Sequence, residues 1–388
     1  MMALVVLSTS TLAACSGGGS PDDGGSALAA SDLRIVSLST RAHLVTGGDV
    51  LLRVEVGTDL DASQVEVTSN GDDVTESFRL VAQGAALTGL VQGLRDGDNE
   101  IEARISDGGA STKLQVVNHP ISGPIVSGPH QTPYLCQTEE FTTAGGASLG
   151  APLDVNCSVA TRVEYVYLST LDQEFKSYSS AASAGPPSDV AEATTLDGST
   201  VPFIVRVQTG TVNRAIYQSS MLHDPDDPEP DPWTGSRGWN GKLVYTHGGG
   251  CRNGWFRQGA STGAVLQEGL LEMGFAVTSA SLNVFGQNCN DLLASETHIM
   301  VKERFVESYG EPVYTIGTGG SGGSYQSHQT ADNYPGVFDG IIVVTSLVEL
   351  IVAAASPSGE SGSIVGLFRT FRLLRVLKLA KSVKTLRI

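Results

Sequence analysis

The run Val313-Tyr314-Thr315-Ile316-Gly317-Thr318-Gly319-Gly320-Ser321-Gly322-Gly323-Ser324-Tyr325 passes from an apolar strand, through a glycine-flanked serine, into a helix-compatible segment that reaches Asn333. A Gly-x-Ser-x-Gly match is weak by itself in a chain of 388 residues with 46 glycines, and it recurs around Ser148 and Ser261. Only Ser321 has an apolar strand before it and a helix after it. In that setting the flanking glycines let the backbone turn sharply and leave the hydroxyl exposed above a sheet. Ser321 is therefore the candidate nucleophile, and the N–H of Gly322, the next residue, is a candidate oxyanion donor.

The text upstream of this turn supports the same reading. Lys242 to Thr246 reads as a strand and ends at His247-Gly248-Gly249-Gly250, about seventy residues before Ser321. Glycines after a strand let backbone N–H groups approach a developing oxyanion, which adds Gly248 and Gly249 to the candidate donors. Between the two motifs the periodicity predicts a helix over 261–273, a strand over 275–280, a helix over 290–309 and a strand over 312–317. Strands alternating with helices predict a parallel sheet covered on both faces.

From Ser31 to about Pro120 the pattern is different. Apolar and polar residues alternate, as in Leu51-Leu52-Arg53-Val54-Glu55-Val56, and Gly-Gly or Gly-Asp turns separate the runs. Such spacing predicts a small all-β immunoglobulin-like sandwich, serving as a spacer or binding module. The predicted organisation is an export segment and linker over 1–30, the sandwich over 31–120, an incomplete α/β hydrolase-like domain over 121–337, and a tail over 338–388. The acidic loop Asp224 to Trp233 lacks a recognisable ligand spacing and reads as solvated, so no metal site is assigned.

The first fifteen residues place an apolar run, Ala3 to Leu7, before Leu12-Ala13-Ala14-Cys15, with no Lys or Arg ahead of it. This resembles the lipobox of bacterial lipoproteins, which implies Cys15 as a lipid anchor on an exported protein, followed by a flexible linker. The remaining cysteines, Cys136, Cys157, Cys251 and Cys289, are even in number and allow three pairings in an oxidising compartment. Proximity favours Cys136 with Cys157 and Cys251 with Cys289. The net charge is −17; residues 334–388 carry 7 Lys and Arg against 3 Asp and Glu, leaving 17 against 38 in the body. A body this acidic repels phosphate backbones, which sets nucleic acid aside as a partner.

The tail is of another kind. Phe338 to Ala355 is nearly continuous apolar text broken by Asp339 and Glu349, and a cation then recurs at every third position from Arg369 to Arg387. A step of three residues is 300° on an α-helix, so these charges wind around the axis instead of forming one face. Residues 338–388 resemble the third and fourth helices of a voltage-gated sodium or calcium channel. The resemblance implies a two-helix membrane tail, with Arg369, Arg372, Arg375, Lys378, Lys381 and Lys384 as gating charges and Asp339 as a countercharge. It also implies a fusion joined near residues 334–342.

The lipobox, the sandwich, Tyr245-Thr246-His247-Gly248-Gly249-Gly250-Cys251 and Ser321-Gly322-Gly323-Ser324-Tyr325-Gln326 together resemble an uncharacterised bacterial α/β-hydrolase-like family, over about residues 1–340. Secreted tannases, feruloyl esterases and polyhydroxybutyrate depolymerases are its nearest characterised relatives. The resemblance implies acyl transfer to water through a serine ester, on a small-molecule or polymeric ester, without a cofactor. In such hydrolases the acid and then the base follow the serine. Here only His328 follows Ser321. Seven residues along the helix, it is expected to point into or along the sheet, out of reach of the hydroxyl. The triad is therefore expected to be incomplete and the protein inactive in this form. A channel fragment and a non-catalytic surface-binding lipoprotein are the alternative readings, with membrane contact through the lipid anchor or the C-terminal helices.

Overall fold

The computed structural model describes residues 28–81, 85–179, 186–251 and 256–344. The N-terminal layer is a sandwich of two sheets. One has the order Leu33–Ser37, Val50–Val56, Ala86–Val91, Phe78–Leu80; the other runs Val45–Thr46, Ser111–His119, Gly97–Ile105, Val65–Ser69, Asp72–Asp73. Alternation explains the closure. In Gly97–Ile105, Asn99, Ile101, Ala103 and Ile105 are buried, and the three apolar ones meet Leu52, Val54 and Val67 in one core.

The second layer is an eight-stranded sheet with the order Phe175–Tyr178, Arg162–Leu168, Ile204–Val212, Ala215–Leu222, Ala276–Ala280, Lys242–Thr246, Tyr314–Gly320, Gly340–Val344. The expected parallel sheet is only part of it. Lys242–Thr246 pairs parallel with Ala276–Ala280 and with Tyr314–Gly320, whereas every pairing from Phe175–Tyr178 to Ala276–Ala280 is antiparallel. The protein is thus mostly β, with three α-helices among the described residues, which corrects the predicted fold class. The antiparallel half escaped notice because Ile204–Val212 and Ala215–Leu222 are covered on both faces. Almost every residue in them is buried, so the period of two is lost. Asn213 and Arg214, both at positive φ, make the two-residue turn between these strands.

Helix α1, Glu268–Glu272, is much shorter than the helix predicted over 261–273. Helix α2, Asp291–Tyr309, starts at the Asn290 side chain, which accepts from Leu293 N–H, and stops at Gly310, φ 92°. Helix α3, Gly322–Asn333, follows Ser321. Helix α2 is buried nearly all round because it also meets the sandwich. Glu303 accepts from the Thr46 backbone N–H at 2.7 Å and from the Thr46 hydroxyl, and Arg304 lies 3.9 Å from Asp49. Beside it, Trp233 Nε1 donates to Thr88 O at 2.9 Å under the Arg79 guanidinium. The Gly- and Pro-rich connector after the sandwich, residues 121–133, is held by Glu296 of α2, whose Oε2 accepts from the N–H groups of Ile125, Val126 and Ser127 at 2.8, 2.6 and 2.8 Å.

The predicted membrane tail needs correction as well. Gly340–Val344 is the edge strand of the sheet, and Phe338 is buried against Tyr245 and His247. Asp339, read as a countercharge, instead accepts from Thr315 N–H at 2.7 Å while its own N–H donates to Thr315 O. Of the segment assigned to a join at 334–342, residues 340–342 belong to this edge strand. Among the described residues no helix is long and apolar enough to cross a membrane. The channel reading is set aside on these grounds. Arg369, Arg372, Arg375, Lys378, Lys381 and Lys384 lie outside the described residues, as does Cys15.

Candidate active site

Ser321 joins the strand Tyr314–Gly320 to α3 at φ 55°, ψ −116°. That backbone is costly for a residue with a Cβ, on the order of 1–3 kcal/mol, and persists where its surroundings hold it. The Ser321 side chain is exposed and makes no capping bond to α3. The first bond of the helix runs from Tyr325 N–H to Ser321 O at 3.1 Å. The N–H of Gly322 is thus one of the donors left without an intrahelical partner at the positive end of α3, beside the free hydroxyl. The two competing matches lack this geometry: the Ser148 hydroxyl donates to Glu139 O at 2.9 Å, and Ser261 lies in an irregular segment.

The glycine loop lies directly against this turn. A Cβ placed on Gly249 would come 3.0 Å from Gly320 O and 3.7 Å from Ser321 Cβ. One placed on Gly322 would come 2.1 Å from Gly250 O, so no side chain fits there. The three candidate donors are not equivalent. Gly248 N–H donates to Asn283 O at 2.9 Å and is already engaged. Gly249 and Gly322 remain as candidate donors beside the serine. The loop is braced from the other side: Phe285 N–H donates to Gly248 O, Gly286 N–H to Gly249 O at 2.8 Å, and the buried Gln326 amide to Gly248 O at 3.2 Å. The Cys251–Cys289 disulfide closes the same loop onto the residue before the α2 cap, and Cys136 pairs with Cys157 elsewhere.

The histidines take positions that periodicity did not reveal. His328 is exposed on the outer face of α3 and does not point into the sheet, which corrects the expected orientation. His247 and His298 are buried behind the elbow. His247 Nδ1 is 2.9 Å from Ser327 Oγ, and His298 Nδ1 is 2.8 Å from Thr330 Oγ1. Burial pushes His247 down to about 3 and holds His298 well below the usual imidazole range, so both are neutral. Among the described residues no histidine is hydrogen-bonded to the Ser321 hydroxyl. Tyr325, one turn after the serine and half exposed, donates from its phenol to Asp291 Oδ2 at 3.1 Å. Desolvation raises that phenol, with Asp291 adding to the effect.

Four of the five acids of the 224–231 loop have cationic or phenolic partners: Asp224 and Asp227 meet Arg237, Glu229 meets Arg206 and Tyr165, and Asp231 meets Arg79. Among the described residues no group of three His, Cys, Asp or Glu could hold a metal. The missed features, Ser327, Thr330 and Gln326, had a partial signal in Gly323, Ser327 and Thr330 at i, i+4 and i+7, a small-residue stripe on one helix face.

A family model described as "Tannase-like family of unknown function (DUF6351)" matches residues 35–378. The match runs through much of the segment read as a voltage sensor. No curated protein matches the chain. The crystal structure of bovine butyrophilin is similar over 48% of this chain and 91% of its own, at 10% identity and a TM-score of 0.17, a likeness too slight to support an argument.

Proposed function

The chain belongs to the tannase-like family of unknown function, and from that premise we propose that it is an exported serine carboxylic-ester hydrolase-like protein. Ser321 is the nucleophile, and the N–H groups of Gly249 and Gly322 receive the oxyanion. The observation that carries this reading is the backbone of Ser321: a left-handed residue between strand and helix, its side chain free, beside two glycines whose substitution the neighbouring backbone opposes. Two disulfides are compatible with an oxidising compartment, which supports export.

Attack by Ser321 Oγ on an ester carbonyl would place the developing charge near the two N–H groups and the positive end of α3. A serine without a hydrogen-bonded base is a weak nucleophile, so turnover is slow in this form. A fluorophosphonate probe tests the reading. Labelling should map to Ser321 by peptide mass analysis and vanish in Ser321→Ala. A folded protein that stays unlabelled would point to the non-catalytic surface-binding reading.

A further inference from the structure

We propose that His247 and His298 are positioning residues for the Ser321 elbow: two imidazoles packed edge to face, each holding one hydroxyl of α3 from beneath, fix the helix that presents Gly322 N–H. The inference rests on the serine-hydrolase reading of the site, and it assigns to the histidine of the His-Gly-Gly-Gly segment a role other than base.

His247 grips both arms of the turn. Its backbone N–H donates to Thr318 O at 2.9 Å on the strand arm. Its Cβ lies 2.9 Å from where a Cβ on Gly319 would sit and 3.1 Å from one on Gly323, so it fills the angle between strand and helix. Its ring reaches Ser327 on the helix arm. His298, from α2, reaches Thr330 one turn further, and Ser295 Oγ lies 3.0 Å from the same hydroxyl. The two rings are 4.7 Å apart, His247 stacks on Tyr245 at 5.3 Å, and Phe338 closes the cluster at 5.7 and 5.2 Å.

We assign the tautomer from the acceptor next to Ser327. With the single Ser327 Oγ proton given to Gly323 O at 3.1 Å, the bond to His247 runs from Nδ1–H to the hydroxyl oxygen. His247 Nε2 and His298 Nε2 are buried without a partner among the described residues. A bare lone pair is the less costly orphan there, because buried N–H groups without an acceptor are the rarer case. Each imidazole is then a rigid donor at the δ position.

That assignment gives a discriminating pair of variants. The amide nitrogen of Asn sits at the δ position and that of Gln one bond further out. The labelling rate of Ser321 by a fluorophosphonate should survive His247→Asn. It should fall on the order of tenfold to a hundredfold in His247→Gln, the effect of a nucleophile displaced by about 1 Å. Side-chain nitrogen NMR of the wild type should show the Nδ1–H tautomer at both histidines, without titration across about pH 5 to 8. An Nε2–H tautomer, or equal losses in Asn and Gln variants matched for melting temperature, would overturn the proposal. If the wild type is not labelled at all, the hydrolase reading fails. Amide exchange at Tyr325 then decides the positioning role: faster in His247→Gln but not in His247→Asn supports it, and unchanged exchange in both overturns it.

Discussion

Glu303 of α2 and Thr46 of the sandwich share two hydrogen bonds, although 257 residues separate them in the chain. Glu303 is fully buried, and desolvation lifts its carboxyl to about 8, outweighing the Thr46 bonds and the Arg304 charge that favour ionisation. Glu307, one turn on, is raised well above its ordinary value by burial first and by Glu303 second. The folded protein therefore holds protons here that the unfolded chain releases near 4.5. This contribution to stability is fully present below about pH 4.5 and is lost as the pH rises through about 8. Melting temperatures between those values should decline in the wild type. The decline should shrink by several degrees, at roughly 2–4 °C per kcal/mol, in Glu303→Gln. A slope unchanged by the substitution would remove the carboxyl from the account.

Gly322 is expected to accept no side chain. Alanine there would drive its methyl to 2.1 Å from Gly250 O, and relief requires shifting the loop that presents Gly249. We expect Gly322→Ala to be destabilised by about 1–3 kcal/mol, as in other overpacked sites, and to lose Ser321 labelling together with stability. Thermal melts and mass analysis read both effects.

Ser321 should show the opposite trade. Glycine tolerates φ 55°, so Ser321→Gly should relieve on the order of 1 kcal/mol of backbone strain and raise the melting temperature while abolishing labelling. Ser321→Ala keeps the Cβ and should leave the melting temperature nearly unchanged. Equal melting of the two variants would mean that the turn is unstrained.

The two disulfides should separate in function. Chain entropy assigns about 4 kcal/mol to the bridge spanning 38 residues and about 3 kcal/mol to the one spanning 21. Removal of either should lower stability. Only Cys251→Ser with Cys289→Ser should also slow the labelling of Ser321 in protein that remains folded, because only that bridge closes the glycine loop.

The sequence was most legible where a local pattern serves one face. Alternation in 97–105 reports a strand with one wet side, and Asn290 and Gly310 bracket α2 as cap and stop. The Ser321 turn was legible because its backbone needs glycines on both sides. Ile204–Val212 and Ala215–Leu222 were not, since burial on both faces erases the period. Phe338 and Asp339 misled for a related reason: an apolar run cannot itself say whether its neighbours are lipid or a sheet, and here Thr315 and His247 are the neighbours. The buried histidine pair was invisible because Ser295, Ser327 and Thr330 reach it only through the tertiary fold.

Helix α2 gives the sandwich a role that its sequence does not suggest. Its first residue, Asp291, receives the Tyr325 phenol beside the serine turn, and Glu303 engages Thr46 about 18 Å further along the axis at 1.5 Å per residue. Trimming the chain to the larger sheet would leave Glu303 without its donors and open the flank of the helix that backs the serine. The N-terminal layer is in this sense half of the mould in which the half that carries Ser321 sets, and an expression design that discards it should yield insoluble protein.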